Sequence, residues 1–213
     1  MNNPLIKKII AAAAIIFILY IAYYGSFLPL RKSQAFIKTL KGLQTIHSYD
    51  EFEKAFSVPL DIPSPIGQEE LVRNTNNIVL NLLQRGGGNP ELVISLVDFI
   101  ERYYKPILER GRGMSFEQNL YVLGAINELA FFQTKQTKYL LAAENHYSQG
   151  LELGPRRPQF LYGMFDIYRI EGNVPQAKAI ADRILKQWPN DTRTRDALAD
   201  FLAKSQAPAQ EKK

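Results

Sequence analysis

From Ile9 to Leu30 the chain carries no charged residue, and the part up to Ala22 is almost wholly apolar. A run apolar on every side and long enough for about 20 helical residues predicts a single membrane-spanning helix, near Ile6 to Phe27. Tyr23 and Tyr24 follow, aromatic rings with polar tips of the kind that gather at a membrane interface. After the run the pattern turns amphipathic. Phe36, Ile37, Leu40 and Leu43 recur at helical spacing between Ser33 and Thr45. Ser48-Tyr49-Asp50-Glu51 has the form of a capping box and opens a helix through about Phe56. Val58 to Gly67 holds Pro59, Pro63 and Pro65 and predicts an extended loop.

Gln68 to Arg85 predicts a helix with Leu71, Val72, Ile78, Val79, Leu82 and Leu83 on its apolar face, broken by Gly86-Gly87-Gly88. Asn89 caps the next helix with Pro90 at its first position, and Pro106 kinks or ends it. Ser115 caps a helix whose apolar face is Leu120, Leu123, Ile126, Leu129 and Ala130. A second helix, from about Lys138 to Leu153, packs back on it. Thr192 to Lys204 is the last helix, and Ser205 to Lys213 is a polar tail. The predicted fold class is all-α. Residues 1–30 form a transmembrane anchor and 31–67 a membrane-proximal segment with a Pro-rich loop. Residues 68–204 form a helical-hairpin domain, and 205–213 a disordered tail.

Charge supports the anchor. The 213 residues include 26 Lys and Arg against 21 Asp and Glu, a net charge of +5. Lys7, Lys8, Arg31, Lys32, Lys38 and Lys41 flank the apolar run, and without these six the chain is close to neutral. Such an excess suits lipid headgroups, and no basic stripe with interleaved aromatics points to nucleic acid. A cleaved signal peptide shares the basic-then-apolar order, but no clean small-x-small cleavage site follows. The side of the membrane stays open: the basic residues after the run favour a cytoplasmic soluble part, whereas the short basic N-terminal tail favours export.

Candidate chemistry is sparse. With no cysteine there is no thiolate ligand or nucleophile. His47 and His146 are the only histidines and lie far apart; His146 is expected as a partly exposed helix residue. Asp50-Glu51 and Glu69-Glu70 sit at helix starts, where they complement the dipole. Gly86-Gly87-Gly88 has no following Gly-Lys-Ser/Thr, Asn190-Asp191-Thr192 is a glycosylation-type triplet better suited to a turn, and Arg110-Gly111-Arg112-Gly113 is too short for an RNA-binding segment. No catalytic residue, metal site or cofactor is predicted.

The chain also repeats itself. Ala143, Tyr147, Gly150 and Pro155 recur 34 residues later as Ala177, Ala181, Ile184 and Pro189, with Leu161, Met164, Phe165, Tyr168 and Gly172 between them. This pattern resembles the tetratricopeptide (TPR) repeat family over about Gly124 to Lys204. Phe165 and Ala181 swap a large for a small residue relative to the usual pattern. The resemblance implies stacked antiparallel helix pairs, an α-solenoid, with Gly172 at the turn and Ala177 packed against Phe165 or its neighbours. It also implies a concave groove lined by Gln159, Tyr162, Asp166 and Arg169, with Arg156 and Arg157 in the turn before them. The matching residues one unit earlier are Ala125, Glu128, Phe132 and Lys135. A mixture of aromatic, amide and charged groups suits a protein or peptide partner, and it differs from the lysine-and-asparagine carboxylate clamp of the family's chaperone-tail binders.

A second, weaker resemblance covers the whole chain. A membrane helix, then Ser64-Pro65-Ile66-Gly67-Gln68-Glu69-Glu70, then helical repeats is similar to the tail of O-antigen ligase-like bacterial membrane proteins. Those proteins place their chemistry in a polytopic domain absent from this sequence. The functional expectation is a single-pass, membrane-anchored and non-enzymatic interaction scaffold in the bacterial envelope. The alternative is an accessory of surface-polysaccharide synthesis or ligation.

Overall fold

The computed structural model describes residues 4–85, 89–113 and 115–206. The glycine run 86–88 and the tail from residue 207 lie outside them. The order is α1 (Pro4–Ala22), a π turn (Tyr23–Phe27), α2 (Leu28–Lys41), a 3₁₀ turn (Leu43–Thr45), α3 (Tyr49–Asp61), α4 (Gln68–Gln84) and α5 (Pro90–Arg110). It continues with α6 (Phe116–Thr134), α7 (Thr137–Leu153), α8 (Pro158–Ile170), α9 (Val174–Gln187) and α10 (Thr192–Gln206). Among the described residues there is no strand. The chain forms two compact units, one of Met1–Thr75 with Asp98–Gly113, the other of Asn76–Val97 with Met114–Lys213.

In the first unit, one unbroken helical stretch runs from Pro4 to Lys41 and is long and apolar enough to cross a membrane, its best window having a mean hydropathy of 2.3. No described residue before Leu28 is buried. The sequence pattern ends the spanning helix near Phe27 and starts a separate one at Ser33. Instead the π turn carries the helix on, with the Leu28 N–H donating to Tyr23 O, directly ahead of Pro29. A proline in the first turn of a new α segment needs no N–H partner, so the wider turn absorbs it.

The helix capped by Ser48 also outruns its expected end. Ser48 Oγ accepts from the Glu51 N–H at 3.2 Å, and Glu51 Oε2 accepts from the His47 N–H at 2.8 Å. The helix then continues past Phe56, with Pro59 inside it, to Asp61. Pro59 cannot bond the carbonyl four residues back, which belongs to Ala55. Thr39 Oγ1 takes that carbonyl from α2, at 2.9 Å. The end of α3 is held in the same way: buried Lys32 donates to Leu60 O at 3.1 Å and to Ile62 O at 2.6 Å. Around these bonds Phe36, Phe52, Phe56 and Phe99 pack ring on ring. The predicted extended loop therefore shrinks to the residues after Asp61.

In the second unit the helices from α6 to α10 each pack on the next, and α6 also packs on α8. Helix α6 buries residues on nearly every side, from Phe116 and Asn119 to Asn127 and Ala130. Ser115 holds the N-cap position there, but its side chain makes no capping bond. Two close approaches set the spacing. The Tyr147 ring lies between Gly124 of α6 and Gly163 of α8, and a Cβ on either glycine would collide with it. Gly150 of α7 admits the Phe160 ring in the same manner.

The turn from α8 to α9 falls at Gly172, as expected, with φ +72°. The Asn173 N–H donates to Tyr168 O at 2.8 Å and the Gly172 N–H to Arg169 O at 3.2 Å, the paired bonds of a Schellman ending. Asn173 Oδ1 then accepts from the Gln176 N–H and starts α9. Ala177, Ala143 and Phe165 are buried.

Candidate binding groove

Helices α6, α7, α8 and α10 of the second unit, with the part of α4 that belongs to it, line a cavity of about 320 Å³. The exposed sides of α6 and α8 supply most of its wall: Ala125, Glu128 and Leu129 from one, Gln159, Tyr162 and Asp166 from the other. Tyr147 reaches in from α7 because the two glycines beside its ring let it pass. Leu80 and Gln84 of α4 close one side, and Arg193, in the first turn of α10, stands at another.

The polar groups are linked in three sets. In the first, Tyr147 OH donates to Glu128 Oε2 at 3.0 Å. Burial pushes the Glu128 carboxyl up to about 7, the nearby Asp166 charge adds to that, and the Tyr147 hydrogen bond opposes it. In the second, Arg169 Nη1 bonds Asp166 Oδ1 at 2.8 Å and lies over the Phe165 ring. Burial raises the Asp166 carboxyl, while Arg169 and then Arg193 pull it back down. In the third, Tyr162 OH donates to Asp191 Oδ2 at 2.7 Å, and its ring stacks on Trp188. Asp191 is also the cap of α10, accepting from the Thr194 N–H and hydroxyl. The Tyr162 bond is the largest cause holding its carboxyl below the ordinary value.

Of the residues singled out from sequence, Gln159, Tyr162 and Asp166 line the cavity together, joined by Ala125 and Glu128, which precede Gln159 and Tyr162 by 34 residues. Arg169 stands behind Asp166 rather than in the wall. Arg157 pairs with Glu117, and Arg156 Nε contacts Gln187 Oε1 at 3.4 Å, so both turn arginines are engaged elsewhere. Phe132 is exposed outside the cavity, and Lys135 adopts φ 58° with its ammonium over the Phe131 and Phe132 rings. The repeat signature is mostly packing: Ala143, Tyr147, Gly150, Phe165 and Ala177 are buried, and Tyr168 is half-buried. Pro155 and Pro189 lie beyond the ends of α7 and α9, each with its carbonyl accepting from an arginine, Arg183 and Arg195 respectively.

Tyr162 is no free side chain, since both its ring and its hydroxyl are engaged within the unit. His146 is buried, not partly exposed, and burial lowers its imidazole to about 4. Sequence reasoning missed Tyr121, Arg193, Leu80 and Gln84, and it treated Tyr147 as packing alone. A tyrosine at a buried repeat position was the available signal, because its hydroxyl must find an acceptor. Among the described residues no group of three or more His, Asp or Glu side chains is placed to hold a metal ion. Comparison with family models, curated proteins and solved structures found no match.

Proposed function

We propose that this chain is a membrane-anchored, non-enzymatic scaffold that holds a segment of a protein partner in a TPR-like groove. The observation that carries this reading is the convergence of equivalent positions. Ala125 and Gln159, and Glu128 and Tyr162, are pairs 34 residues apart at corresponding repeat positions, and all four line one cavity. A repeat stack offers a ligand such a surface because its first helices present the same side in register. The wholly exposed apolar helix before Leu28 supports the anchor, since lipid is the solvent in which that surface costs nothing to expose.

The test is site-specific photo-crosslinking in native membranes. A benzophenone amino acid at Gln159, on the cavity wall, is expected to give one discrete adduct with a protein. The same group at Lys186, on α9 and outside the cavity wall, is expected to give none. Adducts equal at both sites, or none at Gln159, would remove the groove as the binding surface.

A further inference from the structure

The cavity's charges do not balance among themselves. Three charged side chains line it: Glu128, Asp166 and Arg193. Asp166 is paired with Arg169 at 2.8 Å and is further stabilised by Arg193. Among the described residues, Glu128 bonds the Tyr147 hydroxyl, and the charge that acts on it is the like charge of Asp166. A half-buried carboxylate facing another carboxylate is a place where a bound cation gains and a bound anion loses. The rest of the wall agrees. Tyr121 and Tyr162 bring aromatic surface, and Gln84 and Gln159 bring amide oxygens that can accept from a guanidinium or ammonium group. About 320 Å³ is at the small end for a ligand pocket and fits one long side chain.

We infer that this cavity receives one basic side chain, arginine or lysine, of the partner segment, with Glu128 as its counter-ion. The inference rests on the groove reading above and gives it a chemistry. A bound cation favours ionised Glu128. The free carboxyl titrates near 7, so binding below that pH must expel a proton and weakens as pH falls. The other groups facing Glu128 keep their charge through this range or are compensated. Asp166 is raised but paired with Arg169, and Tyr147 and Tyr162 are raised and stay neutral. Buried His146 on α7 is neutral across the same range.

The experiment uses the full chain in detergent micelles, with dissociation constants measured for acetyl-Gly-Gly-X-Gly-Gly-amide, where X is Arg, Lys, Gln or Glu. The Arg and Lys peptides are expected to bind at least tenfold tighter than the Gln and Glu peptides. Their affinity should weaken about tenfold from pH 8 to pH 6, the drop in ionised fraction for a group titrating near 7. Glu128→Gln, which keeps an acceptor for Tyr147, should abolish both the preference and the pH dependence. Arg193→Gln removes a competing cation from the first turn of α10 and should tighten the Arg peptide. Failure of the Arg and Lys peptides to bind, preference for the Glu peptide, unchanged Arg binding in Glu128→Gln, or weaker binding in Arg193→Gln would each overturn the inference. A discrete crosslink at Gln159 together with any of these results leaves the groove standing and removes only its preference for a cation.

Discussion

At the scale of single residues, Glu128 carries a stability cost with a definite pH signature. Its folded-state carboxyl is raised from 4.5 to about 7, so the folded chain binds this proton more tightly than the unfolded chain does. The stability contributed by this group is full below pH 4.5, falls as pH rises from there to 7, and is flat above. The size of the loss is on the order of 3 kcal/mol at most, since each pKa unit corresponds to about 1.4 kcal/mol. Asp191 has the opposite sign: its carboxyl is lowered, so its contribution is present above the ordinary carboxylate range and is lost as pH falls through the folded value. Glu128→Gln has no charge to bury, so it should melt higher than the unaltered chain at pH 8. The difference should narrow toward pH 5, as measured by thermal unfolding followed by circular dichroism. A melting point lower at pH 8 than at pH 5 relative to the unaltered chain would contradict this account. The repeat spacing singled out Glu128, and the structure places it in the cavity wall. Its partner was not, because spacing placed the Tyr147 ring inside the repeat and said nothing of where the hydroxyl emerges. That outcome depends on Gly124 and Gly163, whose lack of a Cβ lets the ring lie between two helices.

At the scale of elements, local signals placed most helix starts well. Asn89 caps α5 and Asn173 caps α9 through side-chain oxygens, which local sequence can reveal. Helix ends next to proline were less legible, because whether a helix survives a proline depends on what takes the orphaned carbonyl. For Pro59 the answer comes from Thr39, on the preceding helix, and no local pattern encodes that pairing. The relation can be tested by a double-mutant cycle. Thr39→Val removes the hydroxyl donor and leaves Ala55 O unmatched, at an expected cost of about 1–2 kcal/mol. Pro59→Ala restores an N–H that can bond Ala55 O within the helix. Thr39→Val should then cost close to nothing in the Pro59→Ala background. Equal costs in the two backgrounds, measured by urea unfolding, would show that Thr39 and Pro59 act independently.

At the scale of the whole molecule, the apolar run was legible as a helix long and apolar enough to cross a membrane, because that reading needs no tertiary information. The point where the soluble part begins was not. The sequence drew the boundary at residue 30, yet the first buried side chain of the described chain is Leu28, and Lys32 is 2% exposed. Lys32 holds Leu60 O and Ile62 O at the end of α3, carbonyls that have no further helical turn to bond. Cutting before Ser33 therefore removes a charged donor from two acceptors as well as the Leu28 side chain, whereas cutting before Leu28 removes no buried side chain of the described residues. The full chain is expected to stay in the membrane pellet after carbonate extraction, as an integral helix should. A truncated chain of residues 28–213 is expected to be released as a soluble helical protein with cooperative unfolding. One of residues 33–213 should be less stable by about 2 kcal/mol or more, the usual loss when a charged hydrogen-bond donor is taken from buried acceptors. Equal stability of the two truncated chains would show that α3 is held by its phenylalanine packing alone. Carbonate release of the full chain would show that the exposed helix does not reside in the bilayer.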